Sequence, residues 1–289
     1  MDIGIGIPST IPGARGDQLL EWARRAERAG FSSLASIGAV SYPGYEELTV
    51  FAAAGAVTER IRFLPNVLLA PARSTAELAK QAASVDQLTG GRLTLGLGPG
   101  WRATDFQLTG RDFGTRGQRF DQQLHELQRA WAGEPLLDGT RPVGPATVQQ
   151  PGVPLVIGGS VDASIRRVVE FGIGWTAGGM PPDAVGAMAD RVQTAWKEAG
   201  RDERARIVAL TYFSLGDTVE ASKGYLLDYY APMGDATAEM IAGNAHRSRD
   251  AIADAVEAYA TVGVDELILD PTVADPEQVD LVADVVFGS

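Results

Sequence analysis

Apolar residues recur along the chain with two alternating periods. Short apolar or period-two runs predict strands, and the longer stretches between them carry the 3.6-residue spacing of helices. Residues 2–7 predict the first strand. Residues 17–29 predict a helix whose buried face is Leu19, Trp22, Ala23 and Ala26, ended by Gly30, a residue that tolerates left-handed geometry. Further strands are expected at 32–37, 61–69, 92–96, 155–157, 173–177, 206–215 and 266–269. Helices are expected between them at 46–57, from Ser74 to about Leu88, at 118–131, up to Phe171, and at 182–199 and 248–261. Ser74 and Glu77 have capping-box spacing, and Asp275, Pro276 and Gln278 form a start signal for a last helix. An additional helical segment, 218–244, carries Tyr225, Tyr229 and Tyr230.

Eight strands, each followed by a helix, within 289 residues predict an α/β fold of the (β/α)8 TIM-barrel type, with an insertion segment after strand seven. A doubly wound open sheet would have fewer strands and a glycine-rich loop after the first, where this chain has only Gly4, Gly6 and Pro8. Residues 134–154 are rich in proline and glycine, but the alternation resumes unchanged beyond them. They are therefore expected to be a surface loop, with residues 1–289 forming one domain.

Composition narrows the partners. The formal charge of −12 disfavours nucleic acid and anionic membrane surfaces, which require a basic face. With no cysteine there is neither a disulfide framework nor thiolate chemistry, and a cytoplasmic location is expected. The first residues lack the basic start and cleavage site of a signal peptide, and no run approaches the roughly 18 apolar residues of a membrane helix.

Barrel sites lie at the carboxyl ends of the strands. There Gly98, Gly100 and Trp101 predict one wall of a cofactor pocket, because glycine lets a flat ligand approach the backbone. Gly158, Gly159 and Ser160 suit a phosphate at a helix N-terminus, or equally a tight turn. Gly178 and Gly179 on the next strand point to the same anion site. Two histidines, His125 in a helix and His246 in a loop, and no cysteine leave a metal hydrolase without ligands, so no metal is expected. Asp105 is expected to form a buried ion pair with Arg111 or Arg116 that shapes its loop. Tyr42, Tyr45 and Tyr212 are candidate substrate-pocket residues or core packers.

Several runs together are specific: SVDQLTGGRLTLGLGPGW, DFQLTGRDFGTRGQRFDQQL, QQPGVPLVIGGS, GIGW and AYATVGVDELIL. Through them nearly the whole chain resembles the bacterial luciferase-like monooxygenase superfamily, flavin- and deazaflavin-dependent oxidoreductases on a (β/α)8 barrel. The resemblance implies a cofactor, FMN or a deazaflavin of the coenzyme F420 type, and a homodimer. It places a non-prolyl cis peptide at Asn66 and Val67, a ring wall at Gly98, Gly100 and Trp101, and a polar contact at Thr104. It assigns Ile157, Gly158, Gly159 and Ser160 to the phosphate turn. Ile37 and Gly38 stand where many relatives have Asp-His, Asp105 where they have a glutamate, and Ile173 where they have an aspartate. The resemblance therefore assigns no catalytic acid or base. The expected function is a flavin-dependent oxidoreductase or monooxygenase using reduced FMN on a small organic substrate. The alternatives are deazaflavin-dependent hydride transfer and a non-catalytic flavin-binding barrel.

Overall fold

The computed structural model describes residues 1–288. Nine parallel strand segments occupy the eight positions of the barrel. They are β1 (Asp2–Gly6), β2 (Ser33–Ser36), β3 (Arg62–Pro65), β4 (Leu68–Leu69), β5 (Leu95–Gly98), β6 (Leu155–Gly158), β7 (Gly174–Thr176), β8 (Arg206–Phe213) and β9 (Glu266–Pro271). The third position, expected as one strand over 61–69, is divided into β3 and β4 by the cis peptide Asn66–Val67. Neighbours run β3-β2-β1-β9-β8-β7-β6-β5-β4, and a bridge between Phe63 and Leu93 closes the ring.

Helices follow the strands: α1 (Gly16–Ala29), α2 (Glu47–Gly55), α3 (Thr75–Thr89), α4 (Ala103–Leu108), α5 (Arg116–Trp131), α6 (Asp162–Phe171) and α7 (Pro182–Glu198). After β8, the seventh barrel position, come α8 (Val219–Tyr230) and α9 (Asp235–Gly243) as the insertion. Then α10 (Arg249–Thr261) and α11 (Glu277–Val286) complete the ring. Among these, α4 is the helix the sequence pattern did not announce. Its six residues are too few to show a period, and only Asp105 and Phe106 are buried.

Local signals account for most element ends. Leu19, Trp22, Ala23 and Ala26 are the buried face of α1, and Gly30 closes it at φ 95° with its N–H bonded to the Ala26 and Glu27 carbonyls. Ser248 caps α10, its Oγ accepting from Ala251 N at 3.2 Å. The box expected at Ser74 and Glu77 does not form, since Ser74 makes no side-chain cap bond. The entry to α3 is instead held by Arg73, which pairs at 2.8 Å with Glu46, the N-cap of α2, and at 2.7 Å with Glu47, its first residue. Asp275 accepts the Glu277 N–H at 3.0 Å, but Gln278 turns inward rather than capping α11. Its amide satisfies both backbone groups of Leu215 after β8, at 2.7 and 2.9 Å, where water does not reach.

Apolar packing has two parts. The larger cluster lies between strands and helices, with Trp22, Phe51, Phe63, Phe120 and Phe213 fully buried. A second cluster fills the barrel with Ala35, Leu64, Val156, Val208, Leu210 and Ile268 and continues upward into Tyr212, Tyr225 and Tyr229. That continuation fixes where the insertion sits. α8 lies over the carboxyl ends of the strands. Among the described residues no helix is long and apolar enough to cross a membrane.

Candidate cofactor and active site

A cavity of about 460 Å³ opens at the carboxyl ends of the strands. One side is built by glycines packed closely against a side chain. Gly98 on β5 carries no Cβ because one would stand 2.6 Å from Val67 Cγ2, the residue that follows the cis bond. A Cβ on Gly158 would meet the other Val67 methyl at 3.2 Å. Val67 therefore rests on a floor of two glycines from β5 and β6, and all three residues face the cavity.

Asn66 is oriented from behind. Thr176 Oγ1 donates to its Oδ1 at 2.6 Å, leaving Asn66 Nδ2 buried with no partner. A buried amide N–H without an acceptor is costly, and this one belongs to a residue that lines the cavity.

The turn Gly158–Gly159–Ser160 brings the start of α6 to the same space. Gly159 adopts φ +117°, and a Cβ there would collide with Ser164 Oγ, itself buried and unpartnered. Trp175 Nε1 donates to the Gly159 carbonyl at 2.8 Å and fixes the turn. The first N–H groups of a helix have no partner within it and carry the positive end of its dipole, so this corner suits an anion. Arg191 of α7 reaches the same turn, Nη2 donating to Asp162 Oδ1 at 2.6 Å. Gly178 and Gly179 border the cavity from β7's end, and a Cβ on Gly178 would meet nothing within 4 Å.

The remaining walls are aromatic. Trp101 stacks on Tyr230 of α8 with ring centroids 6.2 Å apart and planes 16° from parallel. Arg102, only 4 % exposed, latches this wall to the insertion. Its Nη2 donates to the Tyr229 carbonyl at 2.7 Å, and its guanidinium lies 4.9 Å from the Trp101 ring and 4.8 Å from that of Tyr229. Tyr212 of β8 and Tyr230 share a hydroxyl–hydroxyl hydrogen bond at the cavity's edge. Burial pushes the Tyr230 phenol up to about 12 and the Tyr212 phenol up as well, so both remain protonated.

Of the residues singled out in the sequence, Asn66, Val67, Gly98, Gly100, Trp101, Gly158, Gly159, Ser160, Gly178, Gly179 and Tyr212 converge on this one cavity. Four others do not border it. Ile157 is fully buried, because alternate residues of β6 face opposite sides of the sheet and its neighbours Val156 and Gly158 take the interior. Thr104 bonds outward to Ser41 Oγ at 2.8 Å. Tyr42 donates to Asp228 at 2.7 Å and packs edge-on against Tyr229, while the Tyr45 hydroxyl donates to the Ala14 carbonyl at 3.0 Å. Nor does Asp105 have an arginine partner among the described residues. It is completely buried, and its Oδ1 accepts from the Ser41 backbone N–H and hydroxyl, both at 2.7 Å. Arg116 turns instead to the Gly100 and Phe113 carbonyls, at 3.1 and 2.9 Å. The clasp expected at Asp105 thus joins α4 to the loop after β2, and no ion pair is involved.

Position 38 also has a local cause. A Cβ on Gly38 would collide with Glu47 Oε1, so the buried Glu47 carboxyl occupies the space of any larger residue there. Burial pushes that carboxyl up, against the pull of the Arg73 guanidinium.

A closed parallel barrel with a cavity and a helix N-terminal turn at the carboxyl ends of its strands defines a (β/α)8 protein with a candidate ligand site. The luciferase-like monooxygenase family matches residues 1–281, and the chain belongs to that family. It is 32 % identical over 206 residues to an uncharacterized protein of Mycobacterium tuberculosis, covering 62 % of this chain and 71 % of that one. The monooxygenase RslO1 from Streptomyces bottropensis has the same fold, with a TM-score of 0.80 at 21 % identity over 99 % of both chains. An F420-dependent secondary alcohol dehydrogenase, solved with an F420-acetone adduct, superposes with a TM-score of 0.80 at 16 % identity, over 99 % of this chain and 98 % of that one.

Proposed function

We propose that this protein is a flavin-dependent oxidoreductase of the monooxygenase kind, using reduced FMN on a small organic substrate. The observation that carries the reading is the cavity itself: a wall in which Val67 is seated on Gly98 and Gly158, reached by the N-terminal turn of α6. The two glycines let the Val67 side chain sink into the wall, and a planar ring fits against the low surface that results. The unpartnered Asn66 Nδ2 offers a donor to a ring carbonyl, and the Gly159–Ser160 turn a seat for one phosphate.

Among the described residues, no Lys, Arg, His, Asp or Glu side chain borders the cavity. The single anion corner at the Gly159–Ser160 turn matches the one terminal phosphate of FMN. Bound reduced flavin supplies the electrons and the reactivity toward oxygen. What the chain contributes is a fixed ring position, a phosphate anchor and exclusion of water by Trp101, Tyr229, Tyr230 and Met233. Membership of the luciferase-like monooxygenase family supports the same assignment.

Parallel titration of the protein with FMN and with F420, followed by fluorescence, tests the reading. FMN is expected to bind at micromolar concentration and F420 at least tenfold more weakly. The reverse order would transfer the chain to deazaflavin hydride chemistry. Failure of both to bind would remove the enzyme assignment. Gly178→Leu supplies the control, since its side chain enters open space at ordinary φ and fills the cavity without disturbing the fold. Its FMN affinity is expected to fall at least tenfold with an unchanged melting temperature.

A further inference from the structure

With no Lys, Arg, His, Asp or Glu side chain on its wall among the described residues, the inner cavity holds no strong proton donor or acceptor of its own. Once a ligand has displaced water, a proton gained or lost there has to cross the wall. At one place that wall is thin. Gly38, after β2, borders the cavity, and the Glu47 carboxyl of α2 packs on its α-carbon. A Cβ at position 38 would stand 1.8 Å from Glu47 Oε1 and 2.5 Å from the carboxyl carbon. Glu47 is only 5 % exposed, yet it also borders a second cavity of about 520 Å³, between the loop after β2 and the entry to α3. Tyr45 and Glu77, which border this outer cavity, are exposed, so water reaches it. One buried carboxyl therefore touches the wall of the inner cavity and the outer cavity at once.

The groups around it suit a proton carrier. Arg73, on the chain entering α3, holds Oε2 through Nη2 at 2.7 Å and gives its other amino group to Glu46 at 2.8 Å. Oε1 is the oxygen turned to Gly38. The phenol of Tyr229 on α8 lies within the field of a Glu47 charge, and Tyr229 borders the inner cavity. Glu77 and Arg111 border the outer one. Burial pushes the Glu47 carboxyl up, the Arg73 guanidinium opposes the push and Glu46 adds to it. A carboxyl raised in this way holds a proton at a pH where an exposed one has lost it. Asp270, the other buried acid that burial pushes up, borders neither cavity.

We infer that Glu47 is the proton carrier of the inner cavity, exchanging a proton across Gly38 with the group reduced or oxidised there and recovering its balance from water in the outer cavity. The inference rests on the oxidoreductase reading, because two-electron reduction of a ring in the cavity draws in a proton and its oxidation releases one. In the inward direction the O–H bond at Glu47 Oε1 breaks as one forms on the acceptor, and the carboxylate then takes one proton from outer water. Outward transfer is the reverse, and no electrons move at Glu47 in either. Glycine at position 38 is the thinnest partition the backbone can make, and a side chain there would displace the carboxyl.

Stopped-flow oxidation of the reduced, FMN-loaded protein by ferricyanide, which carries no proton, tests the route when a pH-indicator dye follows proton release. Glu47→Gln keeps the shape and an oxygen for Arg73, and it is expected to slow release roughly tenfold or more with FMN affinity unchanged. Release needs the ionised carboxylate, so the native rate should rise as pH passes the folded value of Glu47, and the variant should lack that rise. Glu47→Asp should restore part of the rate, and Asp270→Asn should leave it at the native level. An unchanged rate in Glu47→Gln, or a loss found in Asp270→Asn instead, would overturn the inference. So would a loss that merely follows weakened FMN binding. Should Glu47→Gln not fold, infrared spectra of Asp270→Asn at mildly acidic pH decide, since Glu47 is then the buried acid still raised among the described residues. Its protonated-carboxyl band should exchange at once in D2O and move when FMN fills the cavity. An absent band, one sealed from D2O or one indifferent to FMN would end the proposal. If FMN does not bind at all, the flavin reading falls, and exchange of that band in D2O alone keeps or removes the proton route.

Discussion

At the scale of single residues, the carboxyl end of the barrel holds several groups left without partners. Asn66 Nδ2, Ser164 Oγ and Asp270 Oδ1 are buried and unsatisfied, and each lies at the carboxyl end of the barrel. Natural proteins violate polar satisfaction mainly where function demands it. Asp270 gives a direct measure. The unfolded chain releases this proton at about pH 4, whereas the native carboxyl, raised by burial, keeps it to a higher pH. Native stability from this position is therefore complete below about pH 4 and declines as pH rises through the folded value. Asp270→Asn carries no such proton, so its stability relative to the native protein should improve by up to about 1.4 kcal/mol per pH unit above pH 4. Urea midpoints from pH 4 to 8 would show the widening, and a gap independent of pH would mean that Asp270 is ionised in the fold. Sequence offered no sign of this residue, because a single aspartate at the end of an apolar strand shows neither its burial nor its missing partners.

Between elements, the insertion is what completes the cavity. α8 supplies Tyr229 and Tyr230, and the turn beyond it Met233, all from a segment distant in sequence from the glycine wall. Arg102 is the link, with one hydrogen bond to the end of α8 and ring contacts to Trp101, Tyr42 and Tyr229. Arg102→Ala is expected to cost about 2–4 kcal/mol, from a charged hydrogen bond and desolvated cation–π contacts. Hydrogen exchange should quicken across α8 and α9 and stay slow in α3. Uniform exchange across all three helices would argue against a latch. The tyrosines at 225, 229 and 230 were visible as helical spacing, but the same spacing serves ordinary core packing, so their placement over the barrel was not readable from it.

Across the whole molecule, ligand and fold are coupled. A ligand that binds only the native state stabilises it by about 2.7 kcal/mol at a hundredfold excess over its Kd. At roughly 2–4 °C per kcal/mol for a chain of this size, FMN should raise the melting temperature by about 5–10 °C. Duplex DNA at low salt should leave it unchanged, given the net charge of −12. A thermal shift with DNA and none with FMN would contradict both the charge reading and the cavity reading.

The sequence by itself determined the barrel, because burying a parallel sheet on both sides forces apolar strands to alternate with one-faced helices, and that alternation is written as short apolar runs between stretches of 3.6-residue period. It also located residues that border the cavity, since Gly98, Gly158 and Gly159 stand where a Cβ would strike the side chain of Val67 or Ser164. Only the tertiary structure decided what surrounds that floor. It turned Thr104, Tyr42 and Tyr45 outward, exchanged an expected ion pair at Asp105 for the Ser41 clasp, and brought Tyr212, Tyr230 and Asp270 together from three elements. Periodicity records which face of an element is buried. It does not record which neighbour lies against that face, and hydrogen-bond partners remote in sequence leave no local trace.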